Sequence, residues 1–184
     1  GTMESMTIVF DQHEWTLDER DGLPDDGARH ELVDGALVMT PAPSGRHQWV
    51  SSSLLQALIL AAPADLKVLH APTDVHLDDR SVLQPDVLVV HRDRIGERGV
   101  SGPPLLAIEI LSSSTRLVDR NMKLPRFERA GCPSFWLVDP DEPSLTAYDL
   151  VDGRYEQVAH VVGDQSWTAT HPYAVTLTPA ALLA

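Results

Sequence analysis

Residues 85–90, PDVLVV, and residues 105–111, LLAIEIL, decide how this chain is read. Each is a short apolar run bounded by turn residues, the pattern of a strand buried on both faces. Each also carries one carboxylate, Asp86 after Pro85 and Glu109 in the middle of its run. A carboxylate in such a setting is costly to desolvate unless it is paired, protonated or bound to a cation. On neighbouring strands, about 4.8 Å apart, the two side chains would be able to share one metal ion.

Working outward, HELVDGALVMTPAP (30–43) reads as a hairpin turning at Asp34-Gly35. Ser44 caps a helix from about Gly45 to Ala62, with Val50, Leu54, Leu55, Leu58 and Ile59 as its apolar stripe. KVLHAP and TDVHL read as short strands, the second a candidate partner for the strand of Asp86. A charged loop, residues 92–104, leads into the run of Glu109. Capping hydroxyls at residues 112–115 open a helix from about Thr115 to Ala130, which Pro125 should kink and Gly131 should stop. FWLVDP is another buried strand. SLTAYDLVDGRYEQVAHV is a second hairpin, turning at Asp152-Gly153, and a short strand and an apolar turn end the chain. Strands and helices in this order make an α/β domain with a mixed sheet. Residues 1–28 read as an irregular segment with at most a short helix near Trp15–Arg20, and residues 29–184 as a single domain.

The 184 residues suit one domain with a proper core. No run is long and apolar enough for a bilayer and no signal peptide is visible, so the expectation is a cytoplasmic protein with no membrane partner. Cys132, the only cysteine, fits a reducing compartment and takes no catalytic role. Gly1 and Thr2, ahead of Met3, read as a vector remnant. The net charge of -13 argues against a tight stand-alone binder of nucleic acid. Eight of the 14 basic residues nevertheless fall in two segments, at Arg92, Arg94 and Arg98, and at Arg116, Arg120, Lys123, Arg126 and Arg129.

Taken in order, ELVDG, the PD at 85–86, EILS at 109–112 with the serines and threonine after it, Lys123 and AGCPSFWLVDP resemble the PD-(D/E)XK nuclease superfamily. The closer likeness is to its restriction-endonuclease-like branch of bacterial proteins, the Uma type. It covers most of the chain, from ELVDG to the DGRY hairpin. The resemblance implies a restriction-endonuclease-like core, a mixed central β-sheet flanked by helices, with an N-terminal β-hairpin. It implies an Mg²⁺- or Mn²⁺-dependent endonuclease acting on nucleic acid, DNA before RNA, as a homodimer. Carried over, Asp86 and Glu109 look like the metal-binding carboxylates; an ion held by them would also be within reach of the Ile110 backbone carbonyl. Glu31 looks like an additional acid and Lys123 like the catalytic lysine. The superfamily's lysine usually stands two residues after the second acid. Here that place is Leu111, so Lys123 would be the lysine moved to the next helix.

Each residue has a plainer reading. Asp86 would only open a strand, Glu109 would pair with a buried arginine, Lys123 would be a solvated partner of Asp119, and Glu31 would lie at the surface. His47 is a surface histidine or a substrate contact, and Ser112 to Ser114 are capping residues. The histidines lack zinc-ligand spacing, and there is no glycine-rich phosphate loop. Two other functions stay open. One is a catalytically inactive binding module on the same fold, and the other a metal-dependent hydrolase of small phosphorylated molecules.

Overall fold

The structure, a computed structural model, describes residues 7–9 and 13–184; Gly1 and Thr2 lie outside them. Among the described residues, fifteen strands form two large sheets and one small one.

The central sheet has the order β13-β12-β11-β10-β7-β4, with β4 at Leu66–His70, β7 at Val87–His91, β10 at Leu106–Ile110, β11 at Ser134–Asp139, β12 at Ser144–Val151 and β13 at Arg154–Val162. Only the β10–β11 pair is parallel; the rest is antiparallel, so the sheet is mixed as expected. The second sheet has the order β1-β3-β2-β6-β5-β9-β8. Its members are β1 (Thr7–Val9), β2 (Arg29–Val33), β3 (Ala36–Thr40), β5 (Val75–Asp78), β6 (Ser81–Leu83), β8 (Ile95–Gly96) and β9 (Gly99–Ser101). The small third sheet pairs β14 (Trp167–Ala169) with β15 (Val175–Leu177).

Both hairpins turn where Asp-Gly stands. Asp34 and Gly35 have φ of 52° and 83°, Asp152 and Gly153 have 49° and 78°. Positive φ at both central residues is the turn whose twist matches paired strands. The strand around TDVHL does not lie beside that of Asp86. β5 pairs with β6 and β9 instead, and β4 takes the place next to β7. The loop of residues 92–104 is shaped too, holding β8 and β9. The C-terminal part has two short strands where one was expected.

Helix α1 (Leu17–Asp21) is capped by Thr16, and α2 (Gly45–Ala61) by Ser44, whose side chain accepts from the His47 N–H. The expected helix after residue 115 is three pieces in one rod: α3 (Arg116–Val118), a π-helical turn (Asp119–Lys123) and α4 (Leu124–Ala130). Pro125 falls in the first turn of α4, directly after the π-helical turn. The irregularity precedes it: the Leu124 N–H donates to Asp119 O, five residues back.

Alternation along the central strands sorts the core into two layers. Val87, Val89, Leu106, Ile108, Ile110, Trp136 and Val138 pack with α2 and the small sheet. Leu88, Val90, Ala107, Leu111, Phe135 and Leu137 face the other way, against Val33, Val38, Val75 and Leu83 of the second sheet and Val118 and Phe127 of the helical rod. By the same alternation Glu109 points into this second layer. Among the described residues no helix is long and apolar enough to cross a membrane.

Candidate active site

Strand pairing brings the two acids of the sequence together. In the antiparallel register of β7 and β10, Ile108 stands opposite Val87, so the next pair outward sets Glu109 opposite Asp86. Asp86 precedes β7, and its Oδ2 accepts from the Ile110 N–H at 2.8 Å. From the second sheet, β2 aims Glu31 the same way as Val33. The Glu31 Oε1 accepts from the Gln84 N–H at 2.7 Å.

Lys123 then enters from the π-helical turn. Its Nζ lies 3.0 Å from Glu31 Oε2, 3.2 Å from Glu109 Oε1 and 3.6 Å from Asp119 Oδ1. The chain thus brings Glu31, Asp86, Glu109 and Lys123 to one buried centre, with relative exposures of 0, 3, 1 and 2 %. Lys123 is not a solvated helix residue, and Glu31 is not at the surface.

Two further residues hold Asp86. Arg29 Nη1 donates to Oδ1 at 2.8 Å, and His47 Nε2 lies 3.1 Å from Oδ2. Arg29 was not singled out from sequence, although it stands two residues before Glu31 and so shares its strand face. His47, 8 % exposed, is a buried partner of Asp86 and not a surface histidine. Asp119 is buried beside Lys123, where the sequence suggested a solvated pair.

The electrostatics follow from four carboxyls facing two fixed cations. Burial raises the Glu109 pKa well above the usual range; Lys123 opposes this, while Asp119, Asp86 and Glu31 add to it. Burial likewise raises Asp119, to about 6 against the pull of Lys123. Asp86 goes the other way: burial would raise it, but the His47 hydrogen bond and then the charge of Arg29 hold it well below the carboxylate range. Burial would discharge Lys123, yet Glu109, Glu31 and Asp119 raise its pKa and keep it an ammonium.

The basic segments are largely consumed by ion pairs. Arg126 is buried against Ser81, Asp78 and Asp34, while Arg116 pairs with Asp139, Arg129 with Asp34 and Arg98 with Asp21. These pairs offset part of the positive charge that the two segments carry. A cleft of about 660 Å³ reaches the site from one side, carrying Arg20, His30, Gln84 and Arg98. A second, of about 390 Å³, reaches it from the loop of Ser112 to Thr115. Arg29 and His47 line both.

The family model described as "Uma2: Putative restriction endonuclease" matches residues 17–180. The chain belongs to the Uma2 family. Uma2 membership supports a nuclease function in general terms, and with it a nucleic-acid substrate. The chain is also similar to a crystal structure from Anabaena variabilis ATCC 29413, described as a putative nuclease belonging to DUF820. The TM-score is 0.73 at 22 % identity, covering 91 % of this chain and 97 % of that one. That likeness carries the restriction-endonuclease-like fold. The search of curated proteins found no match.

In this Uma2 member, among the described residues, no three His, Cys, Asp or Glu side chains converge as a ready-made metal cage. Mg²⁺ needs few protein ligands, because it keeps several waters. The donor set fits such an ion on two counts. Glu31 Oε2 and Glu109 Oε1 are buried oxygens that receive no hydrogen bond, although the Lys123 ammonium stands at ion-pair distance from each. The cluster also sets four carboxyls against two cations, so like charges add to the burial that lifts Glu109 and Asp119.

Proposed function

We propose that this protein is an Mg²⁺- or Mn²⁺-dependent endonuclease hydrolysing phosphodiester bonds, with DNA as the substrate. The convergence of Lys123 on Glu31 and Glu109, beside Asp86, supports this more than any other observation. Asp86 and Glu109, with the Ile110 carbonyl, would hold the ion. A divalent ion in such a site supplies charge neutralisation at phosphoryl oxygens and a more acidic water.

The chain's own groups do the rest. Lys123 stays protonated and offers donors to an oxygen on which negative charge develops at phosphorus. Glu31 holds that ammonium in place, itself fixed by the Gln84 N–H. Arg29 and His47 fix the orientation of Asp86. Cutting both strands of a duplex needs two such centres, which a homodimer would supply; light scattering reads that state.

The test is incubation of plasmid, single-stranded DNA and RNA with Mg²⁺ or Mn²⁺, using wild type, Asp86→Ala and Glu109→Ala. Metal-dependent cleavage lost in both variants, with circular dichroism unchanged, supports the assignment; cleavage unaffected by either substitution sinks it. A second reading, a non-catalytic binding module, is favoured by how fully Asp86 is already engaged by Arg29, His47 and the Ile110 N–H. It predicts no cleavage of any nucleic acid.

A further inference from the structure

Arg29 and His47 share an unusual position. Each holds Asp86 with one nitrogen, and each leaves a second buried nitrogen, Arg29 Nε and His47 Nδ1, without a hydrogen-bond partner. Buried polar groups are nearly always satisfied by protein, water or ligand, so two unpartnered nitrogens beside one carboxylate mark a place where water or a ligand would be held. These two residues are also where the two clefts meet.

The chemistry of the two free nitrogens differs. Arg29 Nε carries a hydrogen and can only donate, which suits the oxygen of an anion. Asp86 accepts, so Nε2 carries a hydrogen, and in the tautomer whose one ring hydrogen is there Nδ1 has a lone pair. In that tautomer Nδ1 takes a hydrogen from a water or hydroxyl group. We propose that Arg29 and His47 are the substrate-gripping pair of this site: Arg29 Nε donates to a non-bridging oxygen of a phosphodiester, and His47 Nδ1 accepts from the water beside that same phosphate.

Nothing in this needs a new basic face, which resolves the conflict with the net charge of -13. One arginine between the clefts holds one phosphate of a strand, and the acidic remainder of the surface limits unspecific binding. The inference rests on the nuclease reading, so its test has a binding arm that does not require turnover.

Binding of a fluorescent single-stranded oligonucleotide is measured in Ca²⁺ for wild type, Arg29→Lys, Arg29→Gln and His47→Gln. The glutamine at residue 47 keeps a donor for Asp86 and removes the Nδ1 lone pair. Both residue-29 variants should weaken binding about tenfold or more, the loss of one charge-assisted hydrogen bond. His47→Gln should bind within about twofold of wild type, because it removes no contact to the anion. In Mg²⁺, residue-29 variants should raise KM, and His47→Gln should lower kcat with KM unchanged. Oligonucleotide binding is read at saturating Ca²⁺, with thermal unfolding recorded beside it, so that a change of ion affinity through Asp86 does not register as a loss of substrate binding.

Oligonucleotide binding unchanged in both residue-29 variants overturns the proposal even if DNA is cleaved. Parallel loss of unfolding temperature and Ca²⁺ affinity, with no KM-against-kcat split, overturns it in favour of a structural role. Arg29-dependent binding without cleavage in any metal leaves Arg29 as the phosphate ligand, and sinks the nuclease reading and the His47 assignment together. Displacement by inorganic phosphate at the same affinity per phosphate would make the ligand a free phosphate, and overturn the phosphodiester part.

Discussion

Lys123 Nζ stands 3.0 Å from Glu31 Oε2, an ammonium and a carboxylate that are both removed from water. Truncating one partner of a buried pair costs far more than the pair contributes, because the other charge is stranded. Lys123→Met leaves Glu31, Glu109 and Asp119 facing one another with Arg29 as the remaining cation nearby. The expected loss in urea unfolding at pH 8 is about 3 to 5 kcal/mol. It shrinks at pH 5.5, where the stranded carboxyls take up protons. A cost within about 0.5 kcal/mol would mean a solvated surface residue and contradict the geometry.

Stability should fall as pH rises through neutrality. The Asp119 pKa is raised to about 6 in the folded state, and Glu109 is also raised. Carboxyls whose folded value exceeds the unfolded one contribute stability below the unfolded value, near 4, and lose it as pH rises through the folded value. Asp86, held low, works in the opposite sense: its contribution is present above about 4 and is lost under stronger acid. The unfolding temperature should therefore peak between about pH 4 and 6 and decline by pH 7.5. Asp119→Asn should flatten the decline, and a flat wild-type profile from pH 5 to 7.5 would contradict the buried-acid assignment.

Much of this site was legible because strand periodicity is simple. Two apolar runs with one carboxylate each announce buried acids, and the register of β7 with β10 then sets Glu109 opposite Asp86. Both Asp-Gly hairpins and the Ser44-capped helix follow from local chemistry in the same way. What was not legible depends on contacts between distant segments. That β4, not β5, would flank β7 is a choice among similar short strands. Arg29 looks like any basic residue at a strand start until the fold brings Asp86 to it. The π-helical turn, which carries both Asp119 and Lys123, has no local signature beyond the nearby Pro125.

Cys132 should be chemically silent. Its Sγ is buried and donates to the Ser134 carbonyl, and burial pushes the thiol up to about 12. The thiolate is the nucleophile, so the native protein at pH 8 should show almost no reaction with a chromogenic disulfide reagent. One equivalent should react once urea unfolds the chain. Rapid reaction of the native protein would mean that the strand β11 start opens readily.

A divalent ion should bind with release of protons. The raised pKa of Glu109 gives it a high affinity for a proton when no second cation is near, and a metal ligand must be deprotonated. Mn²⁺ titration by calorimetry should fit one site, and its enthalpy should vary with the ionisation enthalpy of the buffer, which reports the displaced proton. The unfolding temperature should rise with Mn²⁺ concentration, because the ion binds only the folded arrangement. Asp86→Ala/Glu109→Ala should abolish all three signals while keeping its circular dichroism. Binding that persists in the double variant would move the ion elsewhere. Absence of binding in wild type, with and without oligonucleotide, would leave the excess charge to protons alone and favour the non-catalytic reading.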